Sequence, residues 1–299
     1  MYQFKKIDYL IYILNRKMTL KFNQIKWIHF NPILKSLLFW ILFLFSLFLI
    51  GVFICPIFPA QWERFIYGIF GAMAAIGITW VFVKWEGKLF RDYNLVWKRN
   101  TLLNFSMGLF IGVILLFFII GFLVLFSDIE MVASTNNWNI AQLFWMQAII
   151  PLALMEEIAF RSYAFLELKH RYGFRLSQWL VAIAFASYHI IQGWDISTAF
   201  FGPAIWAFVF GLGAIYSRGI ALPTGIHVAL NIGQQVFGMQ GENSNAIWFL
   251  KHPEGSSAES IARTDQVGFL AQILVLVLAI WATEFYIRKN QLNLKESSL

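Results

Sequence analysis

An all-α, polytopic membrane fold of about eight helices is what this chain predicts, and three observations carry the prediction. Only 13% of its 299 residues are charged and 59% are apolar, with 32 Phe and 13 Trp, whereas a soluble domain is about 25% charged. The apolar residues gather into runs close to the roughly 20 residues that cross a hydrocarbon core about 30 Å thick. Lys and Arg fall unevenly between those runs, as they do when a membrane keeps its basic loops on the cytoplasmic side.

Residues 1–35 read as a basic cytoplasmic arm, carrying Lys5, Lys6, Arg16, Lys17, Lys21, Lys26 and Lys35. Its apolar stretch, Ile7 to Leu14, is broken by Asp8, Tyr9 and Tyr12 and has no small-residue cleavage site, so it reads neither as a span nor as a signal peptide. Such an arm suits the bilayer surface. Residues 36–287 form the transmembrane domain, with spans expected at Ser36–Phe58, Phe65–Val83, Leu102–Ser127, Asn139–Lys169, Leu176–Ile191, Ile196–Ser217, Ile220–Phe237 and Val267–Ile287. Residues 288–299 remain as a cytoplasmic tail. No Pro- or Gly-rich linker divides the chain.

With these spans, 19 of the 23 Lys and Arg residues fall on one side. The other side holds Arg64, Lys251 and Arg263, and Arg161 lies inside a span. The expected topology therefore has both termini cytoplasmic, the Asp128–Trp138 and Gly238–Asp265 loops outside, and, in a bacterium, a plasma-membrane location. The net charge of +7 belongs to that topology, and no nucleic-acid partner is expected. The partners implied are the lipid bilayer and a membrane protein or peptide. The single Cys55 forms no intramolecular disulfide.

Ionisable groups inside spans mark function by default. Three stretches break the apolar pattern at midspan: Glu156-Glu157-Ile-Ala-Phe-Arg161, Phe185-Ala-Ser-Tyr-His189 and His227-Val-Ala-Leu-Asn231. At about 1.5 Å of rise per residue, Glu156 lies about 20 Å from Lys169, His189 about 21 Å from Arg175 and Asn231 about 20 Å from Arg218. Three helices thus bring polar groups to one level. Glu157 and Arg161 share a helix face, as do His227 and Asn231, while Glu156 is turned about 100° from Glu157. Glu284 is expected to pair with Arg288, four residues on, at the interface.

This set suits general-base hydrolysis. Burial raises a carboxyl group's pKa toward neutrality, which fits it to take a proton from water. Arg161 is placed to hold Glu157 ionised, leaving Glu156 as the base. One histidine can share the water, and a His/Asn pair can donate to a developing oxyanion. No cofactor is called for, and no His-Glu-x-x-His occurs.

At these residues the chain resembles the CPBP intramembrane glutamic endopeptidases, a family that includes type II CAAX prenyl proteases and bacterial abortive-infection or bacteriocin-immunity-type membrane proteins. Glu-Glu-x-x-x-Arg, Phe-x-x-x-His and His-x-x-x-Asn stand in this order on successive helices, within residues 150–235. The resemblance implies eight helices around a water-filled cavity and hydrolysis of a peptide bond near the C-terminus of a substrate at the cytoplasmic face. By it Glu156 would activate water with His189, Glu157 and Arg161 would be the supporting pair, and His227 and Asn231 the oxyanion donors. Ser162 departs from the Gly that many members carry after the Arg.

Other classes compete. A non-catalytic scaffold or immunity protein could keep the fold, but it has no need to keep buried charges. A zinc hydrolase could use Glu156, His189 and His227 as ligands, although no metal-binding spacing occurs within one helix. A proton-coupled transporter also uses buried Glu and His.

Overall fold

The computed structural model describes residues 30–135, 140–239 and 246–296. Most of the expected N-terminal arm, residues 1–29, lies outside the described residues, as do parts of both expected outer loops.

Ten α-helices and a two-stranded ribbon follow one another among the described residues: α1 (Pro32–Leu49), α2 (Glu63–Trp85), α3 (Thr101–Phe126), β1 (Glu130–Ala133), α4 (Ile140–Met146), α5 (Ile149–Arg161), α6 (Tyr163–Ile191), α7 (Ile196–Phe201), α8 (Pro203–Ser217), α9 (Ala221–Val236), β2 (Trp248–Lys251) and α10 (Ala258–Glu296). The fold is the all-α membrane architecture that the composition predicts. Among the described residues five segments are long and apolar enough to cross a bilayer: Pro32–Ile57, Ala60–Trp85, Thr101–Phe126, Ile196–Ser217 and Ala258–Gln291.

The long helices form the lipid-facing wall. In α1, Asn31 caps Ile33 N and Pro32 sits in the first turn, where its missing N–H costs nothing. Leu34, Leu37, Ile41, Phe45 and Phe48 point outward at helical spacing while Phe39, Phe43 and Leu47 are buried. Only 28% of the most apolar stretch of α1, α3 or α10 is buried within the protein. The remainder faces the bilayer.

The helices bearing the polar motifs are shorter and lie within this wall. At 13 and 16 residues, α5 and α9 rise about 20 and 24 Å, short of a 30 Å core. The single span expected over Asn139–Lys169 is instead three pieces. α4 ends at Met146, α5 begins at Ile149, and Ser162 leaves helical geometry at φ −99°, ψ −110°. Across that break the Trp40 indole N–H donates to Ala159 O at 3.2 Å; in an unbroken helix that carbonyl accepts from the amide of residue 163. A second break falls at Gly173 (φ 79°, ψ 171°), where the chain reverses inside α6. That backbone region is open essentially to Gly alone. The connection expected between Lys169 and Leu176 is instead helical on both sides of this one glycine. The expected span Ile196–Ser217 also bends, at Gly202, into α7 and α8.

The two ends of the bundle differ. At one end Lys35 pairs with Glu86 at 2.6 Å, Lys88 with Glu167 at 2.9 Å, and Lys98 Nζ donates to Arg218 O at 2.6 Å. Glu284 joins this end through both nitrogens of a forked contact from Arg175, with Nη2 at 2.6 Å. That corrects the expected Glu284–Arg288 pair. A local i,i+4 contact gives way to a bidentate one, the stronger geometry for a guanidinium and a carboxylate. At the other end β1 and β2 pair antiparallel, from Glu130 opposite Lys251 to Ala133 opposite Trp248. The two loops that hydropathy leaves separate are therefore one ribbon.

Candidate active site

Close backbone packing fixes the pose of α9. A Cβ on Gly108 of α3 would strike Leu222 O, and one on Gly225 of α9 would strike Phe105 O. Small residues that let two membrane helices touch in this way replace the hydrophobic drive that lipid does not supply. With one face of α9 pressed on α3, His227 and Asn231 turn toward α5 and α6.

The paired glutamates of α5 have different surroundings. Glu157 is fully buried. His227 Nδ1 donates to its Oε1 at 2.9 Å, and Arg161 Nε lies 3.3 Å from its Oε2. The Arg161 guanidinium is also fully buried and stands 4.5 Å over the Phe185 ring and 5.2 Å over the Phe210 ring, contacts that a weakly hydrated planar cation makes favourably. Phe210 in turn stacks on His227, with ring centroids 4.6 Å apart.

Glu156 points elsewhere. The Tyr188 hydroxyl donates to its Oε1 at 3.3 Å, and its Oε2 lies 3.7 Å from His227 Nε2, beyond hydrogen-bonding distance. His189 donates from Nδ1 to Phe185 O at 2.8 Å. A carbonyl oxygen only accepts, so the proton is on Nδ1, and the neutral ring's lone pair is on Nε2.

Glu156, His189, His227 and Asn231 share the wall of a cavity of about 620 Å³. Glu157 and Arg161 stand behind that wall. The opposite face of α5, through Ile150, Leu154 and Ile158, lines a separate apolar cavity of about 400 Å³. At the rim of the polar cavity Asp195 caps α7, and hydrogen bonds from Thr198 and then Ser197 hold its carboxyl down to about 2.

All six residues singled out in the sequence thus converge, four on the cavity and two in support. Sequence reasoning missed Tyr188, Gln192 and Tyr67, which line the same cavity. Tyr188 was visible as a hydroxyl beside His189 in an apolar run; Tyr67 and Gln192 carried no signal, because helix order alone does not say which ends meet. Among the described residues no three His, Cys, Asp or Glu side chains converge as metal ligands.

Residues 136–233 match the family model described as type II CAAX prenyl endopeptidase Rce1-like. No curated protein matches the chain. The matched segment contains α4 to α8 and most of α9, and so all six residues singled out in the sequence.

Proposed function

We propose, from the match of residues 136–233 to the type II CAAX prenyl endopeptidase Rce1-like model and from the geometry of the site, an intramembrane glutamic endopeptidase in which Glu156 activates the attacking water. One observation carries the assignment. Of the two adjacent carboxylates, Glu157 is taken up by Arg161 and His227, whereas Glu156 faces the cavity with a single long hydrogen bond.

In this reading water sits between Glu156 and the Nε2 lone pair of His189. Glu156 takes a proton as the water oxygen bonds to the scissile carbonyl carbon. Asn231 Nδ2–H and protonated His227 Nε2–H then meet the oxyanion, the latter held in place through its Nδ1 bond to Glu157. Collapse of the tetrahedral intermediate breaks the C–N bond, and the proton on Glu156 passes to the departing amine. Arg161 keeps Glu157 ionised, which keeps His227 oriented. The substrate is a membrane-associated protein or peptide, CAAX-like or otherwise cut near its C-terminus.

The domain layout supports the same reading. The transmembrane unit 36–287, with its core at 150–235, bears the chemistry, and the cytoplasmic tail of 288–299 continues α10 at least to Glu296. The test is substrate trapping. Membranes holding the Glu156→Gln protein should accumulate an uncut membrane polypeptide that co-purifies with it, and the wild-type protein should cleave that polypeptide with or without chelator. A Glu156→Gln protein that cuts as fast as wild type would overturn the assignment. Activity lost on chelation and restored by zinc would turn it to a metallohydrolase.

A further inference from the structure

The family resemblance places the substrate on the cytoplasmic side, but the geometry of the cavity leads to the other side. Toward the basic end the residues beyond the cavity wall are packed shut: Phe160, Arg161, Tyr163 and Phe165 do not line the cavity and are each no more than 1% exposed. Toward the ribbon end it is open, and its rim is made by Arg64, Trp194, Thr198 and Met239, all exposed. These residues lie at the start of α2, in the α6–α7 turn, on α7 and just after α9. Those positions are at the same end of the bundle as β1 and β2.

Depth agrees with this opening. Along their helices Glu156 lies seven residues from Ile149 and His189 three from Gln192, about 10 Å and 5 Å of rise. From the basic end His189 lies 14 residues from Arg175 along α6, about 21 Å of rise. The reacting atoms are therefore nearer the ribbon end of a core about 30 Å thick.

Which end faces the cytoplasm follows from charge. The closed end carries Lys35, Lys88, Lys98, Arg175 and Arg218. The open end has only Arg64, Lys251 and Arg263. The positive-inside rule then sets the closed end in the cytoplasm.

We propose that the active site opens to the exoplasmic face, and that its substrates are segments of exported or membrane-inserted polypeptides presented in the outer leaflet. Of the substrates named for the proposed peptidase, this selects the C-terminal segments of exported or membrane-inserted chains over CAAX-like lipidated ends of cytosolic proteins, which are anchored in the opposite leaflet. This inference rests on the peptidase reading for the word substrate, but the direction of access is independent of it.

The test is labelling with a membrane-impermeant maleimide. In a Cys55→Ser background, Thr198→Cys at the rim and Glu254→Cys beyond β2 should label in intact cells. Lys98→Cys should label only after the membrane is opened. Two exoplasmic positions keep the result readable if one variant folds poorly. Labelling of Lys98→Cys in intact cells, with Thr198→Cys and Glu254→Cys protected until permeabilisation, would overturn the proposal and leave the peptidase reading standing. The expected labelling in a protein that cuts nothing would do the reverse.

Discussion

Two clusters of buried charge hold this bundle together, and they differ in one respect. At the closed end two buried carboxylates each have both a cation and a hydroxyl: Glu86 takes Lys35 at 2.6 Å and the Tyr163 hydroxyl at 3.1 Å, and Glu167 takes Lys88 and the Tyr93 hydroxyl. In the site Glu157 takes a hydrogen bond from His227 at its Oε1 and an ion pair with Arg161 at its Oε2, the latter outside hydrogen-bond geometry. Glu156 is the exception, with Tyr188 alone in hydrogen-bonding distance. A carboxylate with its lone pairs filled joins helices. One left underfilled at a cavity wall has a free lone pair for water, which is the property the proposed reaction needs.

The largest expected effect separates the two adjacent glutamates. Glu156→Gln should lower the turnover rate by about 10²–10⁴-fold, or about 3–5 kcal/mol of barrier, with little change in thermal unfolding in detergent. Glu157→Gln should act first on the fold. It leaves Arg161 fully buried without its ion partner, a loss of about 3–5 kcal/mol in buried settings, read as a lower unfolding temperature. If both variants unfold alike and both keep activity, the distinction between the two carboxylates fails.

At the closed end Lys35→Met should destabilise by about 3 kcal/mol, because Glu86, 5% exposed, keeps only the Tyr163 hydroxyl. Activity per folded molecule should not change. Removing both charges, in Lys35→Met with Glu86→Leu, should restore most of the lost stability, since an apolar pair avoids desolvating two ions. A fall in turnover number in either variant would show that the two clusters are coupled, against their separate roles.

How much of this was legible in the sequence follows from what one-dimensional signals encode. Apolar runs gave α2 and α3 nearly to their ends and located α1 and the middle of α10, which extends nine residues beyond the expected span at either end, because a bilayer reads length and hydropathy. The six site residues stood out because charge within a span is costly. The break at Ser162 did not stand out, since Ser is common within helices and its geometry depends on Trp40 arriving from another helix. Nor did the Glu284–Arg175 fork, which joins residues 109 apart.

The smallest expected effect concerns Tyr188. Its hydroxyl donates to Glu156 at 3.3 Å, long for an O–H···O bond, whose usual range is about 2.5–3.0 Å. A bond of that length to an ionised group belongs at the low end of its class, near 1 kcal/mol. Tyr188→Phe should therefore reduce the rate by about tenfold or less. The ring itself packs against Phe160 and Phe185, and Phe keeps those contacts, so stability should hold. The split between kinetic constants makes the result diagnostic. If the hydroxyl merely orients Glu156, kcat falls and KM stays, and Tyr188→His, which breaks the ring packing, does worse than Tyr188→Phe. A loss of 10²-fold or more in Tyr188→Phe would instead mean that the hydroxyl meets the reacting oxygen, as an oxyanion donor does. Tyr188 would then join Asn231 among the residues that touch substrate, and Glu156 would be left without a hydrogen-bond partner during the reaction.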